Sequence, residues 1–138
     1  MPIDPRSHTP VYVQLADLLR ARIESGELPP GAPIGSEARL SQEYGIGRDA
    51  VREAIWVLRY EGLVSTSRGQ STTVRQRPER QRVELPLGAS VIARMPTSNE
   101  RRSLDIDEGV PILEVRDAQG SVKVLPGDEV ELIRPKSE

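Results

Sequence analysis

The stretch SEARLSQEYGIGRDAVREAIWVLRYEGLV, residues 36–64, carries two helical patterns separated by a glycine-bounded break. Ser36 suits a helix N-cap, with Glu37 in the first turn, where a carboxylate meets the positive end of the helix dipole. Leu40 and Tyr44 follow at i, i+4. Gly45-Ile46-Gly47 then interrupts the helix, and another starts at Arg48. With Arg48 at zero and about 100° per residue, Val51, Ala54, Ile55 and Leu58 fall between roughly 240° and 340°. Arg48, Arg52 and Arg59 fall within about 40° of one another on a different side. One face is built to pack and the other presents guanidinium groups. Gly62 ends the pattern. Two helices joined by a turn of about three residues make a helix-turn-helix.

Upstream, Val11, Leu15, Leu18, Leu19 and Ile23 recur at helical spacing, and Gly26 with Leu28-Pro29-Pro30-Gly31 stops that helix. Residues 1–9, with Pro2 and Pro5, read as an N-terminal arm. Downstream, Leu63-Val64-Ser65-Thr66 and Ser71-Thr72-Thr73-Val74 read as strands around a Ser67-Arg68-Gly69-Gln70 turn, which makes a wing. The expected organisation is therefore an arm at 1–9, a winged helix-turn-helix at 10–74 and a linker at 75–82. A small domain at 83–138 completes it.

In that last segment Val83–Leu87, Val91–Met95, Pro111–Val115, Ser121–Leu125 and Glu129–Ile133 are strand candidates. Thr97-Ser98-Asn99-Glu100 has the form of a capping box before a short helix reaching Leu104. Asp117-Ala118-Gln119-Gly120 is a hairpin turn. The expected fold class is α+β, a winged helix-turn-helix followed by a small antiparallel β-rich domain.

Composition narrows the function classes. The 138 residues contain no Cys and one His, His8, so thiolate sites, disulfides and His clusters drop out. Nothing calls for a metal or another cofactor. No apolar run approaches the roughly 18 residues of a membrane helix, and the N-terminus lacks the apolar core of a signal peptide. A cytoplasmic location is the expectation. The net charge is −2. Residues 1–80 carry 11 Arg against 10 Asp plus Glu, and residues 81–138 carry 8 Lys plus Arg against 11 Asp plus Glu. Basic charge is local, so phosphate-driven affinity should be moderate for one copy and gain from dimerisation.

A helix fits the DNA major groove, where Arg can bond bidentately to guanine O6 and N7. Arg48 and Arg52 lie near the helix start, where the groove is approached. Asp49 can accept from cytosine or steer Arg52. Ser36 and Ser41, with helix N-terminal amides, suit phosphates. Arg68, Gly69 and Gln70 at the wing tip suit a minor groove, Gly69 because it lets the backbone come close. Arg59 fits a surface role as well as a phosphate contact.

An Arg-bearing helix face is ordinarily a solvated surface. The order helix, turn, helix, hairpin argues against that here. The alternative function is a winged-helix protein–protein interaction module. An enzyme would have to rest on Asp105, Asp107 and Glu108, which lack a partner base, or on Gly45-Ile46-Gly47, which follows no expected strand.

The sequence resembles the GntR family of bacterial transcription regulators. The matching residues run through Pro10-Val11-Tyr12-Val13-Gln14-Leu15, Ile23–Gly31, Ser36-Glu37, Leu40 and Tyr44–Arg48. They continue through Val51–Ile55 and Leu58 to Glu61-Gly62-Leu63-Val64. The resemblance implies a homodimeric transcription regulator, a repressor, on a pseudo-palindromic operator. It implies base contacts from Arg48 and Arg52 and a minor-groove approach by Gly69. Where the family often has a DNA-contacting Arg after its Ser-Glu pair, this chain has Ala38 with Arg39 beside it. Ser71 replaces a second wing glycine. Trp56 replaces a residue that is often charged and is expected to pack on the second domain or a partner subunit.

The C-terminal segment is similar to a shortened UTRA effector domain of the HutC-type subgroup. The matching residues are Ala93–Pro96, Glu100–Leu104, Asp107–Leu113 and Leu125–Asp128. This admits a small-molecule effector there, with its ligand residues unassigned. Arg94 is expected to form a salt bridge rather than to hold a ligand.

Overall fold

Helical stretches with apolar residues three and four apart must bury one stripe, and the first unit of the chain is arranged around three of them. A computed structural model describes residues 3–66, 71–76 and 78–136. The chain divides into two compact units, Met1–Gln76 and Arg77–Glu138. The first contains helix α1 (Val11–Glu24), α2 (Glu37–Tyr44) and α3 (Arg48–Tyr60), then strands β1 (Val64–Thr66) and β2 (Thr72–Val74). Leu15, Ala16 and Leu19 of α1, Leu40 of α2 and Val51, Ala54, Ile55 and Leu58 of α3 are buried with Ile34, Val64 and Val74 in one core. All four residues of the expected packing stripe on α3 are therefore inside.

The helix ends follow from the sequence. Ser36 caps α2, its Oγ accepting from Arg39 N at 3.1 Å. Gly45 ends α2 at φ 67°, a left-handed conformation that costs a residue without Cβ little. Ser41 Oγ donates to Ile46 O, tying the turn to the helix before it. Arg20 of α1 reaches Glu61, just past α3, through bonds of 2.7 and 2.9 Å, and Asp17 at 2.7 Å. The arm is fastened as well. Gln14 Nε2 donates to Asp4 O and Thr9 O, while Asp4 N donates to Gln14 Oε1.

β1 and β2 pair antiparallel, with Val64 opposite Val74 and Thr66 opposite Thr72. A third segment joins them. Gly31 N donates to Val74 O, Val74 N to Ala32 O and Ile34 N to Thr72 O at 2.8, 2.8 and 3.0 Å. Residues 31–34, at the end of the Pro-rich run that stops α1 and just beyond it, thus extend the wing sheet, a role the helix-breaking reading did not disclose.

The second unit holds β3 (Gln81–Glu84), β4 (Ser90–Arg94), α4 (Ser98–Ser103), β5 (Ile112–Arg116), β6 (Val122–Pro126) and β7 (Val130–Ile133). β4, β5 and β6 form an antiparallel sheet in that order. β3 and β7 instead pair parallel, Gln81 opposite Val130 through Glu84 opposite Ile133. An antiparallel expectation does not contain this pair. Arg80 steadies it by donating from Nη1 to Gly127 O and Val130 O at 2.7 and 2.8 Å. Two residues expected as linker, Gln81 and Arg82, belong to β3.

The capping box forms as read. Glu100 N donates to Thr97 Oγ1 and Thr97 N to Glu100 Oε1. Arg94 makes the expected salt bridge, a two-pronged pair with Glu100 at 2.8 Å in each bond, and Glu114 lies 3.9 Å away. The Arg94 bonds, then the Thr97 amide, hold the Glu100 carboxyl down at about 2. Because this folded value lies below the ordinary value of about 4.3, its stabilisation is complete above that value. It disappears as pH falls toward 2. NMR titration should find Glu100 ionising well below the other glutamates. Glu100→Gln should flatten the loss of melting temperature between about pH 4.5 and pH 2, the interval set by the ordinary and depressed values.

Candidate nucleic-acid interface

With its inner stripe buried, α3 turns Arg48, Asp49 and Arg52 outward, and all three are exposed. Gly47 is the α3 N-cap and brings no capping side chain. Arg48 is the first helical residue, one turn before Arg52. Asp49 lies beside them and meets Arg52 Nη1 at 3.4 Å.

The nearer partner of Arg52 is Glu37, at the start of α2. Arg52 Nε donates to Glu37 Oε1 at 3.3 Å and Nη2 to Oε2 at 3.2 Å. Glu37, through hydrogen bond and charge, is the largest cause that raises the Arg52 pKa above its ordinary value. The Arg52 side chain is still 62% exposed. This ion pair joins residues 15 positions apart across the turn. The sequence signal for it was the Ser36-Glu37 pair at a helix start, which reads as capping and says nothing of a partner on the next helix.

Ser36, Glu37 and Arg52 line a groove of about 410 Å³ together with Arg59, Thr66 and Ser71. Arg59 Nη1 donates to Thr66 Oγ1 at 3.4 Å, and the hydroxyls of Thr66 and Thr72 lie 2.7 Å apart. The groove therefore has a cationic wall and a hydroxyl wall, the second unremarked in the sequence reading. Arg39 is exposed, and its backbone N–H satisfies the Ser36 cap.

Ser41 departs from expectation. Its one O–H donor is spent on Ile46 O, which leaves none for a phosphate. Arg68, Gly69 and Gln70 lie outside the described residues, so the wing-tip contacts do too. Trp56 is 52% exposed and Tyr60 60%. Their rings stack 5.4 Å apart at 19°, so within its own unit Trp56 packs on Tyr60. Among the described residues no three His, Asp or Glu gather as a metal site, and no helix is long and apolar enough to cross a membrane.

Three helices followed by a paired hairpin, with the second and third helices joined by a glycine-bounded turn, define a winged helix-turn-helix. Residues 11–74 match the family model described as bacterial regulatory proteins, gntR family. The chain is 38% identical over 74 residues to the HTH-type transcriptional repressor NagR of Bacillus subtilis (strain 168), covering 54% of this chain and 30% of that one. It is 36% identical over 69 residues to the mannosyl-D-glycerate transport/metabolism system repressor MngR of Escherichia coli (strain K12), covering 50% and 29%. Among solved structures it is similar to YtrA from Sulfolobus acidocaldarius, a GntR-family transcription factor. That match has 32% identity and a TM-score of 0.50 over 54% of this chain and 78% of that one. The chain belongs to the GntR family. It spans about 30% of the length of the curated relatives it matches.

The Ser36 cap is open to a stability test. Ser36→Ala removes the side-chain acceptor that caps α2 and should cost about 1 kcal/mol in urea unfolding. Ser36→Thr should retain most of that stability.

Proposed function

We propose that this protein is a sequence-specific DNA-binding transcription regulator, a repressor that acts on a pseudo-palindromic operator as a homodimer. The observation that carries the reading is the two-sidedness of α3. Four apolar residues are inside the core, and Arg48, Asp49 and Arg52 stand on the solvent side of the helix start. An exposed helix of this kind enters a major groove with its first turns against base edges. Arg48 and Arg52 are the base readers in this reading, and Asp49 is an acceptor beside them. Ser36, Arg39 and the wing-tip residues Arg68, Gly69 and Gln70 make backbone and minor-groove contacts. The names of NagR and MngR as repressors support the direction of regulation.

Two half-sites demand two copies, and a chain of net charge −2 needs the second copy for useful affinity at physiological salt. The C-terminal unit is assigned to dimerisation and to sensing a small molecule. An open cavity of about 310 Å³ with Val83, Leu85, Val115, Leu125 and Leu132 in its walls supports the sensing role.

One observation favours a second reading, a protein-interaction module. The stacked Trp56 and Tyr60 rings are both exposed, and Trp and Tyr are enriched at interfaces. A stable protein partner, together with DNA affinity unmoved by Arg52→Ala, would select it.

Selection from a random DNA pool, with and without candidate metabolites, should yield a two-fold symmetric motif. Gel shifts on that motif should weaken steeply with salt. Arg48→Ala and Arg52→Ala should each cost about 1–3 kcal/mol of binding and relax one position per half-site. Arg68→Ala should weaken all sequences alike. Absence of any selected motif would refute the proposal.

A further inference from the structure

The ion pairs around Arg52 assign this side chain a more specific task, and the argument rests on the DNA-binding reading above. A guanidinium has five N–H donors arranged along its edges. Glu37 takes the Nε–Nη2 edge in two bonds of 3.3 and 3.2 Å. The Nη1–Nη2 edge remains, contested among the described residues by the long 3.4 Å bond from Nη1 to Asp49. Two parallel donors on that edge match the O6 and N7 acceptors of guanine.

Charge separates a base from a phosphate as the ligand. Arg52, Glu37 and Asp49 together carry a net −1, with both carboxylates in contact with the guanidinium. A phosphate placed on that guanidinium meets Glu37 and Asp49 as well, and like charges repel. A guanine edge is neutral and gains two directional bonds. Glu37 also sits on α2 rather than on α3, so it fixes the guanidinium plane from a second element instead of letting it swing with its own helix.

We infer that Glu37 is a positioning residue that commits Arg52 to a guanine and disfavours phosphate, by occupying one edge of the guanidinium and offsetting its charge. Arg52 then contributes to sequence choice and adds little to the salt dependence of binding.

Glu37→Gln tests this because it keeps the size of the side chain and leaves the Ser36 cap in place. The purified full chain and the variant are compared on the selected operator, on operators altered at each base pair, and on random DNA, across a salt series. In the variant, discrimination at the one base pair read by Arg52 should fall about tenfold, within the range spanned by loss of a bidentate guanine contact. Other positions should keep their preferences. Random DNA should bind as well or better, with a salt slope steeper by up to about one unit as Arg52 turns to phosphate.

In an Arg52→Lys background, where there is no planar edge to orient, Glu37→Gln should change nothing further at that base pair. An unaltered preference profile would overturn the inference, as would an equal loss or gain on every sequence. Failure of the wild-type chain to select any sequence is a different outcome and removes the DNA-binding reading together with this one.

Discussion

The burial of Val51, Ala54, Ile55 and Leu58 is the constraint on which the rest of the N-terminal unit depends. Four side chains at positions 0, 3, 4 and 7 of one helix can be inside together only if the opposite side is outside. Leu15 and Leu19 from α1, Leu40 from α2 and Val64 and Val74 from the hairpin close over them. The outward direction of Arg48 and Arg52 is then a result of packing rather than of anything the arginines do. The Gly45-Ile46-Gly47 turn sets α2 against α3 closely enough for Glu37 to reach Arg52.

Three arginines of this unit are paired with carboxylates. Arg20 is held by Asp17 and Glu61, Arg22 lies 3.3 Å from Glu27, and Arg52 lies between Glu37 and Asp49. A surface built this way attracts a polyanion weakly at long range. Its affinity depends on contacts that form at short range with correct geometry.

What could be read from the sequence was what local periodicity encodes. The α3 stripe, the Ser36 and Thr97 caps, the Asp117–Gly120 turn and most strands of the second unit follow from patterns within about ten residues, while the first strand lies at Gln81–Glu84 rather than at Val83–Leu87. What escaped was set by partners far along the chain. Leu28-Pro29-Pro30-Gly31 read as a helix stop, yet backbone groups of Gly31, Ala32 and Ile34 pair with Thr72 and Val74. The β3–β7 pair joins segments almost fifty residues apart, and no strand carries a label naming its neighbour. Asp49 was recognised as a companion of Arg52 because it lies three residues away. Glu37 makes the closer contacts and was not, because a turn separates the two helices.

The parallel pairing of the first and last strands of the second unit has a kinetic corollary. β3 gains its hydrogen-bonded neighbour only when Val130–Ile133 has been made, so this unit closes its longest loop last. The N-terminal unit has its whole core in hand once Val74 has left the ribosome, and its helical contacts are short in sequence. During synthesis the helical unit is therefore complete while the β-rich unit is still an open sheet with an unpaired border.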